Sequence, residues 1–164
     1  MHDATHTHTE RQEAWMREAI RLSIKSVETG GGPFGAVVVH NGSVISRGQN
    51  RVTATNDPTA HAEIVAIRDA CQQLETFSLA GCELLTSCEP CPMCFGAILW
   101  ARLDRVWYAN TRDDAAQIGF DDRTFYDEIA RPLPMRHLPM HELLRSEAQA
   151  AFTAWQRLEG KTVY

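Results

Sequence analysis

Apolar positions along the chain switch between two periods. From about Glu10 to Thr29 they recur at helical spacing (Met16, Ala19, Ile20, Ile24, Val27) until Gly30-Gly31-Gly32-Pro33 stops the pattern, which predicts a helix packing one face on a core. Phe34 to Val39 is rich in β-branched residues, Asn41-Gly42 is a two-residue hairpin signal, and Val44 to Gly48 returns as a second strand. Asn56-Asp57-Pro58 then predicts a helix start, with Asp57 as cap and Pro58 in the first turn, running to about Leu74. Gly81 to Ser87 reads as a third strand, Pro92 to Ala101 as a helix and Arg105 to Ala109 as a fourth strand. Gly119 to Arg123 reads as a charged turn, and Pro132, Pro134 and Pro139 make the segment after it a poor helix, with a short edge strand expected near His137. Ser146-Glu147-Ala148-Gln149 has capping-box spacing ahead of an apolar stripe, Ala148, Ala151, Phe152, Trp155 and Leu158. Strands alternating with helices imply an α/β layered domain.

The 164 residues fit one domain. Residues 1–8 alternate His with Thr and are expected to form a flexible N-terminus; His2, His6 and His8 could hold a metal, but nothing nearby fixes their geometry. With 44% hydrophobic and 23% charged residues the chain has the composition of a soluble globular protein, and its apolar runs fall far short of the roughly 20 residues a membrane span needs. The first residues carry no readable secretory signal, so the expectation is a cytoplasmic protein without membrane partners. Sixteen Lys+Arg against 21 Asp+Glu, a net charge of −5, argue against a broad phosphate-binding surface, so no nucleic-acid partner is expected.

Four of the five cysteines (Cys82, Cys88, Cys91, Cys94) crowd into one short stretch, which points to metal or catalysis rather than crosslinks. Cys91 and Cys94, three apart, share one face of the first turn of their helix, where free N–H groups and the helix dipole favour thiolate. His61 and Glu63, two apart, would diverge within a helix and can address one point only if it lies beyond the helix N-terminus. His61, Cys91 and Cys94 supply three soft donors, and three protein ligands plus one water is the pattern of a catalytic zinc site. Zinc lowers the pKa of that water, and the Glu63 carboxylate can take its proton and pass it to substrate. A closed alternative adds Cys88 as a fourth ligand and makes the site structural, leaving Glu63 without a task. Cys71 and Cys82 read as packing residues.

The fragments His61-Ala62-Glu63 and Pro90-Cys91-Pro92-Met93-Cys94 match the H-x-E and P-C-x-x-C signature of zinc-dependent nucleobase deaminases. With Gly31 to Val37, Gly48-Gln49-Asn50, Asn56 to Glu63, Thr86 to Cys94, Gly96-Ala97-Ile98 and Trp100-Ala101-Arg102, the chain resembles the cytidine deaminase superfamily. Ala115-Ala116, Gly119-Phe120-Asp121-Asp122, Tyr126, Glu128 and the Ala154-Trp155 helix ending in Tyr164 narrow the resemblance to the compact zinc-dependent guanine deaminases of bacteria.

That resemblance implies a three-layer α/β/α fold with a mixed five-stranded sheet, in a single deaminase domain over residues 9–164, and hydrolysis of guanine to xanthine and ammonia with one zinc ion per chain. It further implies that Glu63 shuttles protons and Asp122 binds the base and assists amine departure. Asn50 and Phe34 hold the purine, with Ala62, Trp100 and Phe120 also lining its site. The family's C-terminal segment crosses to a partner subunit, so residues 131–164 are a candidate for exchange in a homodimer, with Tyr164 closing the neighbour's site. Each assignment has a plainer counterpart: Asn50 as a turn residue, Asp121-Asp122 as a solvated loop, Trp100 as core, Tyr164 as a loose end. Transfer RNA adenosine deamination, other amino-purine or amino-triazine substrates, and a non-catalytic zinc module are the rival functions.

Overall fold

The computed structural model describes residues 4–164, and side chains from residue 10 onward. His2 lies outside the described residues, as do the side chains of His6 and His8, and with them the suggested N-terminal metal group. Helix α1 (Ala4–Glu28) begins ahead of the predicted start and takes in part of the segment expected to be flexible. Strands β1 (Gly35–His40) and β2 (Ser43–Gln49) form the predicted hairpin through Asn41-Gly42, both at positive φ. Strand β3 (Cys82–Cys88) lies antiparallel to β1, and β4 (Arg105–Asn110) parallel to β3, so the order is β2-β1-β3-β4.

The sheet is mixed, as expected, but the described residues contain four strands rather than five. No strand forms near His137. Pro132, Pro134 and Pro139 remove three backbone donors there, and Leu133–Met135 closes into a 3-10 turn.

The β1 residues alternate between two apolar clusters. Val37 and Val39, with Leu85, face Leu22, Trp15 and Met16 of α1. Ala36 and Val38, with Leu84, face Ala62, Ala66, Ile67 and Ala70 of α3 (Ala62–Gln73) and Ile98 of α4 (Pro92–Trp100). Helices therefore cover both faces, and the three-layer expectation holds.

The predicted helix start at Asp57 is corrected. Asp57 Oδ1 accepts from Thr59 N–H at 2.8 Å and Thr59 Oγ1–H at 2.7 Å, a local turn that competes with helix, and α3 starts at Ala62 with His61 at its N-cap. The short helix α2 (Val52–Thr55) fills part of the loop before it. The Ser146 capping box is also absent: α7 (Arg145–Arg157) starts two residues earlier than that cap would set, after Leu144 in the left-handed conformation. A capping box forms instead at Thr111–Asp114, ahead of α5 (Arg112–Gln117). Gly119 to Asp122 forms the predicted break, and α6 (Arg123–Ala130) precedes the prolines.

The chain divides into two compact units, one ending at Asp122 and one spanning Arg123–Tyr164. Among the described residues no helix is long and apolar enough to cross a membrane.

Candidate active site

Two helix N-termini converge. His61 and Cys91 are the N-cap residues of α3 and α4, each in extended conformation (φ −67 for both, ψ 157 and 169), and Pro92 occupies the first helical position of α4. A cap residue stands half outside its helix, so its side chain addresses the space ahead of the free N–H groups. His61 Nδ1 lies 3.6 Å from Cys91 Sγ and 3.5 Å from Cys94 Sγ, and all three donor atoms fall within 4.8 Å of one another.

These spacings suit zinc. A tetrahedral ion with bonds of roughly 2.0–2.3 Å to nitrogen and sulfur separates those donors by about 3.6 Å. The Cys94 thiol and the His61 ring hydrogen-bond Cys91 and hold it down to about 4, while the same contact, with burial, pushes Cys94 up, so the pair keeps one proton between them. Cys88 does not join the cluster. Its Sγ–H turns to the Thr111 carbonyl at 3.5 Å, and burial, helped by the nearby Glu63 charge, pushes its thiol up to about 11. Cys82 is fully buried in the apolar core, with Cys71 packed against it.

Glu63 is 5% exposed. Burial raises its pKa above the ordinary glutamate value, opposed by its own backbone N–H, so the carboxyl holds a proton more readily than an exposed one. Asp122 is half-buried and likewise raised, by burial and then by the Cys91 charge, which brings it into the electrostatic range of the cluster. Phe34 and Phe120 meet edge-to-face, with centroids 5.0 Å apart and planes at 89°. Asn50 Oδ1 accepts from Val52 N–H at 3.2 Å, which leaves its NH2 available as a donor.

Two expected lining residues stand differently. Ala62 buries its methyl in the core, so only its backbone N–H, the first of α3, can serve a ligand. Trp100 closes the far end of α4, about 13 Å along the axis from Cys91, and is not brought to the cluster. Tyr164 belongs to the second unit. The sequence assigns no role to Ser26, and none to Gly48 beyond its place in the second strand and the family resemblance. A glycine inside a strand and a serine on the buried side of α1 were the available signals.

Residues 9–110 match the cytidine and deoxycytidylate deaminase zinc-binding region. The chain is 48% identical to guanine deaminase of Bacillus subtilis over 153 residues, 93% of this chain and 98% of the relative, and the solved structure of that protein superposes with a TM-score of 0.90 over the same shares. A solved guanine deaminase from Nitrosomonas europaea gives 40% identity and a TM-score of 0.64, over 67% of this chain and 64% of that one. A tRNA-specific adenosine deaminase from Aquifex aeolicus is 41% identical over 60% of this chain and 65% of its own length.

Open donor cluster, buried carboxyl and sequence match agree: the chain belongs to the zinc-dependent cytidine and deoxycytidylate deaminase family, hydrolases of C–N bonds in cyclic amidines. Within that family it is a homologue of guanine deaminase along nearly its whole length.

Proposed function

We propose that this chain hydrolyses guanine to xanthine and ammonia, with His61, Cys91 and Cys94 holding one zinc ion. The observation that carries the reading is the buried Glu63 carboxyl beside a three-donor cluster that leaves a fourth position open. Zinc, when bound, makes water nucleophilic near neutral pH. Glu63 receives the proton that water loses on attacking C2 and delivers it to N3, then takes the remaining proton from the new C2 hydroxyl and carries it to the departing exocyclic amine. A C2–O bond forms, the C2–N bond breaks, and one water is consumed per ammonia released. Asn50 donates to the purine, Phe34 with Phe120 packs on it, and Asp122 accepts from the leaving amine. Glu63→Ala should retain zinc and lose about 100- to 10,000-fold in ammonia release from guanine. A zinc-loaded variant that turns guanine over at the parent rate would refute the mechanism. Parallel assays with adenine, cytosine, amino-triazines and transfer RNA separate the rival substrates.

The reading includes a homodimer exchanging residues 131–164, with Tyr164 closing the partner's site. What supports it is that no residue from Arg123 to Tyr164 is buried, while Phe125, Ile129, Leu138, Leu143, Phe152 and Trp155 expose large apolar surfaces. A segment of this length without a core needs another surface to cover it. We place the enzyme in the cytoplasm, where the five free cysteines stay reduced.

A further inference from the structure

We propose that Ser26 is a positioning residue, fixing the loop that presents the Asn50 amide. Ser26 lies near the end of α1, 24 residues before Asn50 and outside the zinc motifs, yet it is only 1% exposed. Its hydroxyl donates to the Asn50 carbonyl at 3.3 Å. Asn50 N–H donates to the Phe34 carbonyl at 3.2 Å, and its side-chain Oδ1 accepts from Val52 N–H. Both backbone polar groups of Asn50 and its side-chain oxygen are thus engaged, which leaves the NH2 as the group able to donate to a ligand. A buried hydroxyl released from its acceptor, or an acceptor released from the hydroxyl, costs free energy, so the contact biases the loop toward this arrangement.

Gly31 makes the contact possible. Its N–H donates to the Ser26 carbonyl at 2.8 Å, and a Cβ placed on it would stand 2.5 Å from Ser26 Oγ and 2.8 Å from the Asn50 carbonyl oxygen. Any side chain there would wedge the two apart. The loop closes further through Thr53 Oγ1–H, which donates to the Gly30 carbonyl at 3.1 Å. Ser26, the glycine loop and the Asn50 loop therefore form one hydrogen-bonded unit, joined to Phe34 through the Asn50 N–H.

The proposal rests on the guanine reading only for the ligand that Asn50 touches, and its test has one arm that needs no substrate. In Ser26→Ala, hydrogen exchange of the Val52 amide should quicken about tenfold while core strand amides such as Leu84 keep their protection. The KM for guanine should rise about fivefold with kcat within about twofold of the parent, and the rise should vanish in an Asn50→Ala background. Gly31→Ala should reproduce both effects by wedging. Unchanged Val52 exchange overturns the proposal, and so does a KM rise that persists without the Asn50 amide. If the parent enzyme releases no ammonia from guanine, the functional reading falls while the exchange arm still decides Ser26. Should Ser26→Ala not fold, Ser26→Cys keeps the unbranched shape at slightly larger size and weakens the donor, and serves both arms.

Discussion

Gly48 carries α3, and through it His61, one of the three metal donors, together with Glu63. It lies on β2 opposite Ala36, facing α3, and a Cβ added there would overlap the Ala62 carbonyl oxygen, standing 2.9 Å from the Ala62 carbonyl carbon and 2.8 Å from the Ala66 nitrogen. Comfortable Cβ contacts begin near 3.4 Å, so α3 must retreat by at least about 0.6 Å, and by more at its first turn. The obstruction is helix backbone, which cannot swing aside as a side chain would. Overpacking of this kind costs about 3 kcal/mol, or about 6–12 °C of Tm for a chain of this size. His61 caps the displaced helix and Glu63 is its second residue, and a site of this type tolerates only about 0.5 Å of error. Gly48→Ala should therefore lower zinc content and reduce kcat/KM for ammonia release about 100-fold, a greater loss than destabilisation alone explains. Gly35→Ala is the matched control, since its Cβ would press Ala19 and Ser23 of α1 on the opposite face of the sheet. It should melt early and keep its zinc. Scanning calorimetry, metal analysis and ammonia assays of both proteins decide the matter. If Gly48→Ala matches the parent in Tm and activity, or if both variants lose zinc equally, the reasoning is wrong.

The metal ligands separate by chemistry. Cys91→Ala and Cys94→Ala should each lose zinc on purification, whereas Cys88→Ala should retain one ion per chain; equal loss in all three would favour the closed site. Removal of Lys161 to Tyr164 should lower kcat/KM for guanine with zinc content unchanged, and an unaltered value would remove Tyr164 from the site. The Asp114 carboxylate accepts from Thr111 N–H and Oγ1–H, both at 2.8 Å, and the backbone bond above all holds its pKa below the ordinary aspartate value. A carboxyl depressed by folding adds stability above its unfolded pKa and loses it as pH falls through the folded value. Asp114→Asn should therefore unfold at lower urea than the parent at pH 6, and the gap should narrow below about pH 4. A gap of the same size at pH 3 would contradict the assignment.

Much of the site was legible because its signals are local. The spacing His61-x-Glu63 forces a solution beyond a helix end, and Pro92 marks where α4 must begin, so helix geometry named His61, Cys91 and Cys94 as candidate donors while leaving Cys88 as a possible fourth. Asp57 misled because a cap and an Asx turn use the same side-chain oxygen, and only the path of the loop decides between them. The fifth strand failed because strand formation needs a partner edge and donors, and three prolines remove donors that alternation of residue type does not reveal. Cys88 was left open for a related reason. Sequence places it three residues from Cys91, and only the course of β3 into the loop turns its sulfur toward Thr111.

The chain by itself determined the elements that rest on short-range physics: the helical stripe of α1, the Asn41-Gly42 hairpin, the cysteine pair at a helix start, and the carboxyl that accompanies it. Tertiary structure alone decided the features that depend on distant segments meeting. It selected three donors from four candidates, buried Glu63 and so raised its proton affinity, set Phe34 against Phe120 across 86 residues of sequence, and brought Ser26 to Asn50. The division has a physical cause. Periodicity and capping are energies of a few neighbouring residues, whereas burial, ligand convergence and close helix-to-strand approach exist only once the whole sheet and both helical layers have assembled.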